Sequence, residues 1–226
     1  MKLAKPHLDV GLMTNALEPM RTFWQQQVGL AFEEMLPLGG GLRQYRHAMN
    51  GSVLKLNHVR DPLPPARPSG YREVWIARDG LSERSTLRDP DGNVVVLVPR
   101  GEEDVEGIAV RLGVRDEAAF HRFYGHALGL ERAGGNTYRC GDTLLRFAAD
   151  RRAPSDAAWM GQGLSYLTVQ VWDVDLEHHA ILERGGAEGR PPLTLGAVAR
   201  VSFVRDPDGN WIEISQRASL TGPLPG

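Results

Sequence analysis

The sequence predicts an α+β fold built from tandem βαβββ modules, four in all with the second cut short. Three observations carry this. Two anchors occur twice: Phe23-Trp24-x-x-x-Val28-Gly29-Leu30 against Phe123-Tyr124-x-x-x-Leu128-Gly129-Leu130, and Asp89-Pro90-Asp91-Gly92-Asn93 against Asp206-Pro207-Asp208-Gly209-Asn210. Strand-like alternation precedes each helix-like anchor and follows each DPDGN turn. The distance from Glu73 to Asp89 is 16 positions, whereas the matching distance from Tyr166 to Asp206 is 40, so the second module lacks room for a helix plus a strand.

The elements follow in order. Residues 7–13 alternate as a half-buried strand, and 19–28 read as an amphipathic helix that Gly29 stops. A strand over 32–38 precedes a hairpin over 42–49 and 52–58, turning at Asn50-Gly51. That turn pairs Met49 with Ser52, Arg46 with Lys55 and Gln44 with Asn57, so Gln44, Arg46, Lys55 and Asn57 share one face. Residues 60–70, with four prolines, make a stiff loop to the strand 71–77, and 99–107 is an acidic linker. The second half repeats the plan: strand 108–114, helix 117–128 with Asp116 as N-cap, hairpin 138–147 turning at Gly141-Asp142, strand 164–171, and helix 176–184 stopped by Gly185-Gly186. The DPDGN segments are turn chemistry rather than calcium sites, because no flanking ligand series accompanies them. Trp24 and Tyr124 are expected in the core, and His178 and His179 on the surface.

Composition narrows the function. Hydrophobic residues make up 42% of the 226, enough for a buried core, and no stretch approaches a membrane span. The lone Cys140 excludes an intrachain disulfide and any cysteine-rich metal site. Residues 1–100 carry 13 basic and 10 acidic side chains and 101–226 carry 13 and 18; neither half has the basic patch that nucleic acid requires. A cytoplasmic protein with a small-molecule substrate is expected, and a homodimer is one assembly open to it. Of 26 basic residues only Lys2, Lys5 and Lys55 are lysines, which makes Lys55 the sole lysine in the body of the chain.

The early strand histidine, the F-[WY]-x-x-x-[VL]-G-L helix and the terminal DPDGN strand together resemble the vicinal oxygen chelate superfamily, the group of glyoxalase I, bleomycin-resistance proteins and extradiol dioxygenases. The resemblance covers nearly the whole chain up to Arg217. It implies two glyoxalase-like domains with cup-shaped mixed sheets, at 1–100 and 107–217. It also implies a divalent metal (Fe, Mn, Ni or Zn) held by up to four side chains on the cup wall, acting as a Lewis acid on neighbouring substrate oxygens. Carried over by position, those side chains fall on His7, Lys55, Glu73 and Val96 in the first half, and on Ala109, Arg146, Tyr166 and Glu213 in the second.

The second set departs from a metal site and from the dioxygenase pattern of two histidines and a carboxylate. It leaves Glu213 and Tyr166 as a vestigial site or a polar pair. The active cup is therefore expected in the N-terminal half, with His7, Lys55 and Glu73 as catalytic residues and Gln44, Arg46, Asn57 and Trp75 as substrate-binding residues; Asp9 shares their face. Three readings stay open. His7 and Glu73 hold a metal while Lys55 turns away, with His47 or His58 as third ligand if the hairpin register slips by one. Alternatively, Lys55 replaces the metal and the neighbouring groups move a proton, giving isomerase or lyase chemistry. Or Lys55 and Glu73 form an ion pair in a non-catalytic binding or resistance protein, which Trp75 and Trp172 would suit. An extradiol-type dioxygenase is the other enzyme class.

Overall fold

A computed structural model describes residues 1–63, 69–153 and 156–224. Residues 64–68 of the proline-rich loop expected over 60–70 lie outside them. Two curled mixed sheets hold all fifteen strands that the described residues form. The first module supplies β1 (Leu3–Thr14), β2 (Ala31–Gly39), β3 (Leu42–Met49) and β4 (Ser52–Val59). The second supplies β5 (Tyr71–Arg78), β6 (Ser85–Arg88) and β7 (Val94–Pro99), with no helix between β5 and β7 among the described residues, as the short spacing predicts. The third supplies β8 (Ile108–Val114), β9 (Glu131–Gly134), β10 (Thr137–Cys140) and β11 (Thr143–Ala149), and the fourth β12 (Gly163–Val171), β13 (Ala187–Leu195), β14 (Ala199–Arg205) and β15 (Trp211–Arg217).

The sheets do not follow the halves of the sequence. The eight-stranded sheet runs β13-β14-β15-β12-β1-β4-β3-β2 and the seven-stranded sheet β6-β7-β5-β8-β11-β10-β9. One cup therefore joins modules 1 and 4, and the other joins modules 2 and 3. This corrects the expectation of one cup per half. Each module ends at its first strand in an unpaired edge that must find a partner. The short linker 100–107 lays β8 against β5, antiparallel with Trp75 opposite Ala109. The edges left over, β1 and β12, then pair with Asp9 opposite Thr168.

The helices behave as their stop signals predict. α1 (Leu17–Thr22) continues into a wider turn over Phe23–Gln27 and ends at Gly29, whose φ is 79°. α2 (Glu117–Phe120) starts at Asp116, whose carboxylate accepts the Ala119 amide, and likewise continues over His121–Ala127. α3 (Val174–Glu183) is capped by Asp173 and closed by Gly185. One apolar cluster takes Leu8, Val10 and Leu12 from the convex face of β1 together with Trp24, Phe120 and Tyr124 from the helices. Alternation leaves Asp9, Gly11 and Met13 on the concave face. His179 is exposed as expected, but His178 is buried, with Nε2 3.1 Å from Glu188 Oε2. α3 lies against β13 and β14, so its inward face takes His178 along with Val174 and Ile181.

The DPDGN turns do more than turn. Asp89 and Asp206 each accept the backbone amide and the side-chain amide of the asparagine that closes the motif. Asn93 then accepts the Leu164 amide at 2.9 Å, and Asn210 the Gly70 amide at 2.6 Å. Each motif thus ties the last strand of one sheet to the start of the other.

Candidate functional site in the cup of modules 1 and 4

The hairpin register settles which side chains face this cup. Arg46 pairs with Lys55 and Gln44 with Asn57, as the Asn50-Gly51 turn predicts. Gly11 neighbours Lys55 on β1, and Thr168 neighbours Glu213 on β15. The concave face thereby brings together Lys55 from the first module and Glu213 from the last, 158 residues apart in the chain.

Lys55 is almost fully buried, and its Nζ donates to Glu213 Oε2 at 2.6 Å and to Thr168 Oγ1 at 2.7 Å. Thr168 in turn donates to the same Glu213 oxygen at 2.6 Å. Burial lowers the Lys55 pKa, while the charges of Glu213 and Asp9 oppose that. Burial alone would raise the Asp9 carboxyl. The ammoniums of Lys5, bonded at 2.7 Å, and Lys55 outweigh it and hold Asp9 below its ordinary range.

A cavity of about 420 Å³ opens above this floor. Met13, Leu42, Trp159, Val201 and Phe203 make its apolar wall, and Gln44, Asn57, Tyr166, Glu213 and Arg190 are its polar groups. Both Glu213 bonds among the described residues use Oε2, which leaves Oε1 for the cavity. Tyr166 Oη accepts from Asn57 Nδ2 at 3.1 Å and Gln44 Nε2 at 3.4 Å. With both bonds accepted, its own hydrogen is free to be donated. Burial, and next the Glu213 charge, push the Tyr166 pKa well above its ordinary value, so it stays a donor. Its ring crosses over Gly11, where an added Cβ would lie 2.2 Å from it. Only glycine there lets Tyr166 reach Asn57 and Gln44.

Four of the residues expected at the site, Lys55, Gln44, Arg46 and Asn57, do meet in this cup. The other three do not. A bulge between Leu3 and Leu8 takes His7 out of the alternation, and it lies 3.9 Å from Asp142 near Gly51 and Asn50. Glu73 and Trp75 belong to β5 in the other sheet, where Glu73 Oε2 accepts Trp75 Nε1 at 2.6 Å. The pairing of Lys55 with Glu73, and of His7 with Glu73 around a metal, is thereby corrected: modules 1 and 2 do not share a cup. His47 and His58 stay off the concave face because the register did not slip; His47 is buried, with Nε2 3.0 Å from Gln25 Nε2. Trp172 is a surface side chain beneath Lys2.

Thr168 and Trp159 were missed. Alternation had put Asp9 on the right face, but the expected position sat two residues away on His7, a slip of about 6.6 Å along a strand. Thr168 sits two residues beyond the expected Tyr166. Nothing in the local pattern marks Trp159.

The floor does not fit a divalent cation. Among the described residues no three of His, Cys, Asp and Glu cluster. The ammonium of Lys55 fills the point between Glu213 and Thr168, and Asp9 spends its oxygens on Lys5, Val53 and Gln170. A metal about 4 Å from that ammonium would be repelled by several kcal/mol.

Residues 108–214 match the model of the Glyoxalase/Bleomycin resistance protein/Dioxygenase superfamily. The match lies in the C-terminal half and stops just short of half of the chain. Glyoxalase I from Zea mays shares the architecture, with a TM-score of 0.74 at 16% identity over 93% of this chain and 92% of that one. A point mutant of the same maize enzyme gives 0.72 at 14% identity, covering 92% and 94%. A protein of Bacillus subtilis subsp. subtilis str. 168, provisionally assigned as a dioxygenase, gives 0.72 at 11% identity, covering 96% and 86%. At these identities the likeness is one of fold. No curated protein sequence matches the chain. The glyoxalase-like fold is therefore present, with the two walls of one cup drawn from opposite ends of the chain. No helix among the described residues is long and apolar enough to cross a membrane.

Proposed function

We propose that the chain is an enzyme of isomerase or lyase type that removes a proton beside a carbonyl of a small, mainly apolar molecule carrying neighbouring oxygens. The observation that carries this is the pairing of one carboxylate and one phenol hydroxyl at the floor of a mainly apolar cavity. Glu213 Oε1 takes the proton from carbon. Tyr166 donates its hydroxyl hydrogen to the carbonyl oxygen as that oxygen gains enolate charge. Asn57 and Gln44 fix the phenol by donating to its oxygen. Lys55 does not line the cavity. It acts through Glu213, orienting the carboxylate together with Thr168, and is a positioning residue. Arg190 at the mouth stacks on Trp159 at 5.0 Å and presents a cation to incoming polar groups.

Proton washout tests the reading. A panel of hydroxyketones and 1,2-dicarbonyls is incubated with the protein in D2O, and loss of the carbon-bound proton is followed by ¹H NMR. At least one compound should exchange, and Glu213→Gln should slow it about 10²-fold or more. Tyr166→Phe should slow it by a similar factor without blocking binding. If panel members bind in the cup by ligand-detected NMR but none exchanges, the apolar wall belongs to a non-catalytic binder and the proposal fails.

A further inference from the structure

The concave face does not end at Lys55. Beyond the Lys55–Thr168–Glu213 row, on the side away from the apolar cavity, lies a second cavity of about 200 Å³ lined by Lys5, Asp9, Glu34, Arg46, Gln170 and Arg217. Its charges are three cations against two carboxylates. Asp9 is already matched by Lys5 at 2.7 Å, which leaves Arg46 and Arg217 to Glu34. Both guanidiniums converge on a single atom: Arg46 Nε and Arg217 Nη2 each lie 3.1 Å from Glu34 Oε1. Arg46 is 6% exposed, and its pKa is lowered first by burial and next by the charge of Arg217. Two guanidiniums held this close inside a protein need an anion between them.

The anion present is loosely held. Glu34 sits on β2, the outermost strand of its sheet, beside a register shift between Phe32 and Glu34, and its side chain is 43% exposed. The two arginines instead sit on β3 and β15, strands that are paired on both sides. The strong half of the contact is built in, and the weak half can swing into solvent.

We propose that Arg46 and Arg217 form a binding site for a small carboxylate, and that Glu34 is a built-in occupant which such a ligand displaces. With Glu34 turned out, the cavity carries three cations against one carboxylate, a net attraction for an anion of one or two charges. The site adjoins the floor of the cup: Arg46 pairs with Lys55 across the hairpin, and Asp9 faces both Lys5 and Lys55. The inference does not depend on the proton-transfer reading, because it concerns a different cavity.

Sodium succinate and sodium acetate are titrated into the protein at low ionic strength, with sodium chloride at matched ionic strength as control, and Tm is followed. Glu34→Gln should show a saturable rise in Tm with a midpoint at least tenfold lower than that of the wild type. Glu34→Thr, suited to an edge strand, serves if the first variant does not fold. Adding Arg217→Met to either variant should abolish the rise. A midpoint unchanged by removal of Glu34, a rise that survives Arg217→Met, or a response matched by chloride each overturns the proposal. The proton-washout assay reports on the other cavity, so the two readings fail separately.

Discussion

The two cups share one construction and carry opposite chemistry. The parallel pair β12–β15 sets Thr168 beside Glu213; its counterpart β5–β7 sets Trp75 beside Val96. The antiparallel pair at the centre sets Asp9 opposite Thr168 in one cup and Ala109 opposite Trp75 in the other. Lys55 beside Gly11 becomes Arg146 beside Arg111. In the cup of modules 2 and 3 the floor is an apolar cluster of Trp75, Val96, Ala109 and Leu144. The guanidiniums of Arg84, Arg111 and Arg146 lie 4.8, 5.3 and 5.8 Å from the Trp75 ring. Those cations are held from outside, Arg84 by Glu102 and Glu103, Arg111 by Glu73, and Arg146 by Glu103. Filling the floor with an indole closes one cup, while keeping small and charged residues there leaves the other open. The scaffold builds two cups, and the side chains decide which one stays open.

The largest expected difference between the cups concerns their lysine and arginine counterparts. Lys55→Met strands Glu213 without its cation and should cost about 3–5 kcal/mol in urea unfolding. Arg146→Met leaves only the half-exposed Glu103 carboxylate without that partner and should cost about 1 kcal/mol or less. Lys55→Met with Glu213→Leu should recover most of the first loss, since an apolar pair leaves no buried charge alone. Equal costs for Lys55→Met and Arg146→Met would show that the two floors are energetically alike and would break the comparison.

How far the sequence reveals this division depends on the range of each interaction. Local chemistry was legible: Asn50-Gly51 set the hairpin register, and that register correctly put Gln44, Arg46, Lys55 and Asn57 on one face. Gly29 and Gly185 stopped their helices, and the 16-position spacing foretold the missing helix of module 2. The partner of Lys55 was not legible. Each module presents an equally open first strand, and no local pattern tells β1 to choose β12, at the far end of the chain, over β5. Assuming that neighbouring modules pair leads to Glu73 instead of Glu213, although both stand at positions that the resemblance gives to ligands. His7 failed for a smaller reason, a bulge early in β1 that alternation cannot foresee.

The convex side of the open cup carries a pH dependence that the closed cup lacks at the corresponding strand. His47 on β3 is fully buried, and burial lowers its pKa from 6.5 to about 4. The folded state therefore prefers the neutral ring. Its contribution is present above pH 6.5 and is lost as pH falls from there towards 4, amounting to up to about 3 kcal/mol. The stability of His47→Gln should vary less over that window than the wild type's, as urea midpoints measured at pH 7 and pH 4.5 would report. An unchanged pH slope would mean that His47 ionises as freely folded as unfolded.

Gly11 and its counterpart Arg111 give a sharper comparison of the two floors. At Gly11 a new Cβ would meet the Tyr166 ring at 2.2 Å, so Gly11→Ala must push the ring off Asn57 and Gln44. The expected cost is about 1–3 kcal/mol, together with loss of proton washout comparable to that of Tyr166→Phe. Arg111→Ala should leave washout untouched. If Gly11→Ala keeps full activity, Tyr166 is not the donor to the substrate oxygen.

The smallest effect is expected at Arg84, and its size tests what closes the second cup. Arg84 is 42% exposed, stacks on Trp75 and pairs with two glutamates of the linker between modules 2 and 3. An exposed ion pair adds little to stability because solvent screens it. Arg84→Met keeps the apolar stem over the indole and should therefore leave the urea midpoint almost unchanged. Proton washout in the open cup should not change. If the cup is closed by the indole itself, an apolar probe such as a naphthalene sulfonate should still find no binding place beside Trp75 in this variant. If Arg84→Met instead lets the probe bind there, the guanidiniums are the lid and Trp75 is the floor of a second usable cavity. The two cups would then differ in their covering rather than in their filling.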